Sequence, residues 1–104
     1  MKIYAGQTLE GVMTLTNDDG SLMDDLSSVD IKLLLRNRYD DYYVLLEKAG
    51  MSVSGPKVTF TISPEKTKDL RVSAILELKV TQGGKVRIAR QDNIEVEDNR
   101  IKDL

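Results

Sequence analysis

The chain has 104 residues, a net charge of −2, and neither cysteine nor histidine. The length predicts one domain over residues 1–104, and the even spread of 15 basic and 17 acidic side chains does not predict a nucleic-acid or acidic-lipid partner. The missing residue types exclude disulfides, thiolate metal sites and the commonest general base, so we expect stability from packing alone and no cofactor.

The N-terminus, "MKIYAGQTLEG", becomes polar after Ala5 and lacks the apolar core of a signal peptide. The longest apolar runs, Leu33–Leu35 and Val44–Leu46, are three residues each, against the roughly 20 that a membrane span requires. We therefore expect a protein that is made in the cytoplasm, carries no signal peptide and does not contact a membrane.

Alternation of apolar and polar residues predicts β-strands in the first half of the chain, over residues 8–17 and 29–36. Gly11 interrupts the apolar side of the first strand, which predicts a bulge or the close approach of another backbone. A shorter run at residues 42–47 carries bulky side chains on both faces. The residues expected to face the core are Leu9, Gly11, Met13, Leu15, Val29, Ile31, Leu33 and Leu35.

The second half of the chain repeats the pattern over residues 57–62, 72–80, 84–91 and 93–98. The polar "RQDN" at residues 90–93 predicts a kink or bulge where the last two of these segments meet. The residues expected to face the core are Val58, Phe60, Ile62, Val72, Ala74, Leu76, Leu78, Val80, Val86, Ile88, Ile94 and Val96.

Turn signals separate the strands: "NDDG", "KAG", "SGP" and "QGG" each offer a glycine for positive φ, and "TQGGKV" predicts a tight hairpin. "SPEKTKDL" predicts a short helical turn, with Ser63 as its cap and Pro64 at the first helical position. About seven short strands with one helical turn favour an all-β, antiparallel sandwich, because two facing sheets bury both apolar faces. A small closed barrel is the alternative that this pattern leaves open.

Four aspartates, Asp18, Asp19, Asp24 and Asp25, cluster around the first turn. Calcium binding requires many oxygen atoms that converge on one point, and neither the spacing nor a closing glutamate matches the EF-hand loop. We therefore predict no metal site, and a turn in which Asn17 and the aspartates hydrogen-bond their own backbone.

The segment "RNRYDDYY" at residues 36–43 combines arginines with three of the four tyrosines. Tyrosine and arginine often anchor protein interfaces, so Arg38, Tyr39, Tyr42 and Tyr43 are the candidate contact residues. The alternative is that these tyrosines only cover the open end of the sandwich. The basic stretch "KVRIAR" contains no aromatic residue on which a base could stack, which favours a solvated strand face.

The order of several motifs resembles one known family. These are Asp19-Gly20 in a turn, "DLS" at 25–27, the strand at 29–36, the proline-containing turn at 64–70 and the "ELKVTQGGKV" hairpin at 77–86. Together they resemble the N-terminal immunoglobulin-like domain of phage baseplate upper proteins and related tail and fibre proteins. The resemblance implies an immunoglobulin-like sandwich fold and a place in a phage or prophage virion, with the protein made in the host bacterium.

Three classes of function follow for comparison. The first is a non-enzymatic structural or assembly protein of a phage particle, which docks through β-edges and loops onto itself or onto a neighbouring tail or capsid protein. The second is a carbohydrate- or ligand-binding sandwich, for which one Phe, four Tyr and no Trp provide few aromatic platforms. The third, an enzyme, is disfavoured because no nucleophile and base can be paired.

Overall fold

The computed structural model describes residues 1–97, which form two β-sheets with one helical turn between strands. The strands are β1 (Lys2–Tyr4), β2 (Leu9–Thr14), β3 (Asp30–Asn37), β4 (Tyr43–Glu47), β5 (Ser52–Ser54), β6 (Lys57–Ile62), β7 (Ser73–Gln82) and β8 (Lys85–Glu97). A 3₁₀ turn, Lys48–Gly50, follows β4, and the α-helical turn α1 spans Pro64–Thr67. Part of the domain predicted over residues 1–104 therefore lies outside the described residues.

The two sheets form the expected all-β sandwich. One has five strands in the order β1-β8-β7-β3-β4, and the other has three in the order β2-β6-β5. The expectation of purely antiparallel pairing is wrong at one place, since β1 runs parallel to β8 and pairs Lys2 with Glu95. The strands β1 and β5 are too short to show a period in the sequence, and the last two predicted segments form a single strand.

Alternating side chains of β3, β6 and β7 fill the space between the sheets, as predicted. Ile31, Leu33, Leu35, Val58 and Leu78 have no exposed surface. Loops add further apolar side chains, and burial of this kind is worth roughly 1.5–3 kcal/mol for each large side chain. Almost every predicted core position is buried, with the exception of Val72, Val86 and Ile88.

Val86 and Ile88 are not core residues, contrary to the prediction. They are 64% and 48% exposed, because the β7–β8 register shifts between Leu78 and Lys79. Leu78 pairs with Arg90 and Lys79 pairs with Ile88, which leaves Ala89 as the extra residue of a bulge. The extra residue reverses the faces of the strand, so the predicted irregularity exists but lies just before "RQDN".

Val72 is a second predicted core residue that lies on the surface, with 68% of its area exposed. Its φ is +59°, and the Ser73 N–H donates a 2.6 Å hydrogen bond to the carbonyl of Arg71, which is the i→i+2 pattern of a γ-turn. The turn re-aims the chain between α1 and β7, so the alternation of β7 begins only at Ala74.

Gly11 meets an aromatic ring rather than a backbone or a bulge. It pairs with Phe60 in the β2–β6 ladder, and a Cβ atom at Gly11 would lie 2.6 Å from the tip of that ring.

The turn prediction is confirmed at the "QGG" hairpin, where Gly83 and Gly84 both have positive φ, as a two-residue type I′ turn requires. Ser63 occupies the N-cap position of α1 but makes no side-chain capping bond.

Candidate interaction surface

The four candidate contact residues lie on the hairpin that joins β3 to β4, at one end of the five-stranded sheet. Their side chains do not share one environment. Tyr39 and Tyr43 are 74% and 62% exposed. Arg38 donates to Ser73 Oγ at 3.2 Å and to Asn93 Oδ1 at 2.5 Å, so its guanidinium is held by its own chain.

Tyr42 is turned inward and half-buried, where it packs against the hydrophobic core. Its hydroxyl donates to the carbonyl of Lys66 in α1, and burial raises the pKa of the phenol. Tyr42 therefore fits the alternative that was left open for the tyrosines, that of covering the end of the sandwich, whereas Tyr39 and Tyr43 remain available to a partner.

Asn37 holds the loop that presents Tyr39. Its side chain is buried, with 2% of the residue exposed, and all its polar atoms are used. The Nδ2 atom donates to Asp40 Oδ1 at 3.0 Å and to the Asp69 carbonyl at 3.0 Å, while Oδ1 accepts from the Arg71 N–H at 3.0 Å. One amide thus joins the β3–β4 loop to the segment after α1.

Asp40 completes this arrangement inside the loop. Its Oδ1 accepts the N–H of Tyr42 at 2.8 Å as well as the amide of Asn37. Both bonds favour the charged carboxylate, the first more strongly, and they lower the pKa of Asp40 below its usual value. The loop is therefore ordered before any partner arrives, which reduces the entropy cost of binding.

Sequence reasoning missed Asn37, although a signal was present. It continues the inward phase of Ile31, Leu33 and Leu35, so the alternation places a polar amide in the core. A buried amide needs hydrogen-bond partners, and the nearby acidic and basic residues could supply them.

The strand β4 forms one outer edge of the five-stranded sheet. Val44 is buried and Leu46 half-buried on the inner side, while Leu45 is 43% exposed on the outer side beside Tyr43. The strand contains no proline, lysine or bulge, the features that commonly protect an edge from pairing. We call Tyr43–Glu47, together with the side chain of Tyr39, the β4 surface.

The opposite edge of the same sheet is protected. The short strand β1 covers only Glu95 to Glu97 of β8, and the bulge at Ala89 bends the rest of that strand. Arg90 and Asp92 share the inward face with Leu78 and Leu76, and they form a 3.0 Å ion pair at the edge. Inward charges and bulges discourage another strand from pairing there.

The acidic cluster forms turns, as predicted. Asp19 accepts the hydroxyl and N–H of Ser21 at 2.6 and 2.9 Å, and these bonds lower its pKa. Asp25 accepts the N–H of Ser27 at 3.0 Å, which lowers its pKa in the same way. Within residues 1–97, no group of three or more acidic side chains lies close enough to hold a metal ion.

A cleft of about 610 Å³ opens at the end of the sandwich between Ala5, the Arg71–Val72 turn and the last residues of β8. The described residues that line it include no aromatic side chain, which a sugar-binding platform would require.

The longest helix in the described part of the chain has four residues and could not cross a membrane.

Comparison with known proteins adds no relative: no family model matches the chain, and the search of curated proteins finds no match. The fold and the β4 surface are therefore the observations from which a function can be inferred.

Proposed function

We propose that this protein is a non-enzymatic assembly module, which docks through the β4 surface onto copies of itself or onto a neighbouring structural protein. The observation that carries this proposal is a pre-ordered loop beside an unprotected edge strand. The loop holds Tyr39 in solvent by means of the buried amide of Asn37, and the strand offers Tyr43 and Leu45. Exposed tyrosines on an ordered loop are typical anchors of protein contacts.

The setting that we propose is a phage or phage-derived particle. This part rests on the resemblance of the sequence motifs to baseplate upper proteins and related tail and fibre proteins. In such a particle a sandwich uses its free edges and loops to dock in repeated copies, a role that needs no catalytic residue and no cofactor.

The docking proposal is tested with tyrosine variants. The double variant Tyr39→Ser, Tyr43→Ser removes two exposed side chains and should leave the fold intact while weakening association at least tenfold. Tyr4→Ser is the matched control, because Tyr4 is also exposed, at 52%, but lies on β1 at the opposite edge. Light scattering after size-exclusion chromatography measures self-association, and circular dichroism checks the fold.

The particle setting has its own test. Phage or phage-like particles purified from the source strain should contain the chain in a fixed ratio to the known tail or capsid proteins, measured by quantitative mass spectrometry. A chain that is absent from such particles, and that remains monomeric at every concentration, would contradict the proposal.

A further inference from the structure

The geometry points to a specific partner for the β4 surface: a second copy of this chain, whose β4 pairs antiparallel with the first across a two-fold axis at Leu45. The two five-stranded sheets then become one continuous sheet. This inference rests on the proposed function and names the partner within it.

The backbone of β4 is arranged for such pairing. The Asn37 N–H donates to the Tyr42 carbonyl at 3.0 Å, and the β3–β4 ladder continues from there with Leu35 opposite Val44. Because bonded residues alternate along an antiparallel pair, the N–H and C=O groups of Tyr43, Leu45 and Glu47 point away from β3. Within residues 1–97 these groups have no hydrogen-bond partner, and they match those of an identical strand that runs in the opposite direction when Leu45 meets Leu45.

The side chains match in the same register. Leu34 lies opposite Leu45 on the outer face of the sheet, so two copies produce a row of four leucines, Leu34, Leu45, Leu45 and Leu34. On the inner face, Val44 of one copy meets Leu46 of the other, which extends the hydrophobic core across the axis.

The charges also match. Tyr43 of one copy meets Glu47 of the other, where the phenol can donate to the carboxylate. Arg36 lies opposite Tyr43 within the sheet, and Lys32 lies opposite Glu47 with their charged groups 4.0 Å apart. The resulting row reads Arg36, Tyr43, Glu47 and Lys32, so each acid sits between a hydroxyl and a cation, and no like charges are adjacent.

The strand β2 is the rival edge, since it is six residues long and, among the described residues, also has a neighbouring strand on one side only. Val12 is 60% exposed there and lies opposite Thr59, so self-pairing at Val12 would produce the row Thr59, Val12, Val12 and Thr59. That row buries less apolar surface than four leucines, which is why we assign the contact to β4.

Cysteine cross-linking tests the assignment, because the chain contains no cysteine of its own. Hydrogen-bonded residues in an antiparallel pair have Cα atoms about 5.5 Å apart, which is within the range that a disulfide spans. Leu45→Cys should therefore form a disulfide-linked dimer on mild oxidation. Val12→Cys is more exposed but lies on the rival edge, so it should not form a disulfide-linked dimer.

A mixing experiment tests the register. Positions 43 of the two copies would lie roughly 14 Å apart along the strand direction, four residues at about 3.4 Å each, so Tyr43→Cys alone should not cross-link. A mixture of Tyr43→Cys with Glu47→Cys should give the mixed dimer. In light scattering, the native chain should have twice its 11.7 kDa mass, and Leu45→Lys should return it to the monomer mass.

The outcomes separate this inference from the proposal on which it rests. Cross-linking at Leu45 and in the Tyr43–Glu47 mixture supports β4 self-pairing. Cross-linking at Val12 instead overturns the β4 contact but leaves self-docking in place. A native chain that stays monomeric from micromolar to millimolar concentration also overturns the inference, while the proposed function then fails only if purified particles lack the chain as well.

Discussion

Replacing Asn37 by alanine should destabilise the protein by about 2–3 kcal/mol. The variant removes the bond to the Asp69 carbonyl and the bond from the Arg71 N–H, and both groups lie beside a residue that is 2% exposed. Each lost bond to this buried amide contributes roughly 1–1.5 kcal/mol, the upper part of the usual range for a protein hydrogen bond. We add nothing for Asp40, because water can replace the amide at its exposed carboxylate.

Urea unfolding followed by circular dichroism measures this loss, with Gln82→Ala as the control. Gln82 is an exposed amide at the end of β7, and its replacement should change stability by less than about 0.5 kcal/mol. If Asn37→Ala were as stable as the native chain, the loop would not depend on this amide. The pre-ordered presentation of Tyr39 would then have no structural basis.

Three further predictions concern single positions. Gly11→Ala should cost about 1–3 kcal/mol in a urea titration, because the new methyl group would overlap the buried ring of Phe60; an unchanged midpoint would mean that the ring moves freely. Val72→Gly should raise the unfolding free energy by about 1 kcal/mol, since relief of the positive φ exceeds the added entropy of glycine; a lower midpoint would show that the turn is not strained. Asp40 has a folded pKa below its unfolded value of about 4, so its stabilising effect is present above that pH and is lost as the pH falls through the folded pKa. Between about pH 5 and about pH 2, the free energy of unfolding should therefore depend less steeply on pH in Asp40→Asn than in the native chain. Identical curves would contradict the assigned bonds from Tyr42 and Asn37 to Asp40.

The layered fold could be predicted from the sequence because its long strands keep a strict two-residue period. β6 shows this best, with Val58, Phe60 and Ile62 buried and their neighbours exposed. The same logic failed at Val86 and Ile88, where one extra residue at Ala89 reverses the faces. A bulge of this kind depends on how two strands pair, and neither strand alone encodes it.

The candidate surface was only partly predictable. Composition located the hairpin, since tyrosine and arginine concentrate there, but it could not separate Tyr42 from Tyr43. That difference depends on alternation within β4: Tyr42 precedes the strand and packs inward, while Tyr43 begins it and points outward. The role of Leu45 could not be predicted, because the edge position of β4 depends on the order of strands in the sheet. That order depends on which distant segments pair, and the local pattern does not encode it.

The parallel contact between β1 and β8 constrains the order of folding. Lys2 pairs with Glu95, so this ladder closes a loop that contains nearly all of the described chain. Closing such a loop is entropically expensive until the segments between have already condensed. The hairpins β3–β4 and β7–β8 can form locally and early, whereas β1 can dock only onto a β8 that is already in place. During synthesis β1 therefore stays unpaired until residues 95–97 have left the ribosome.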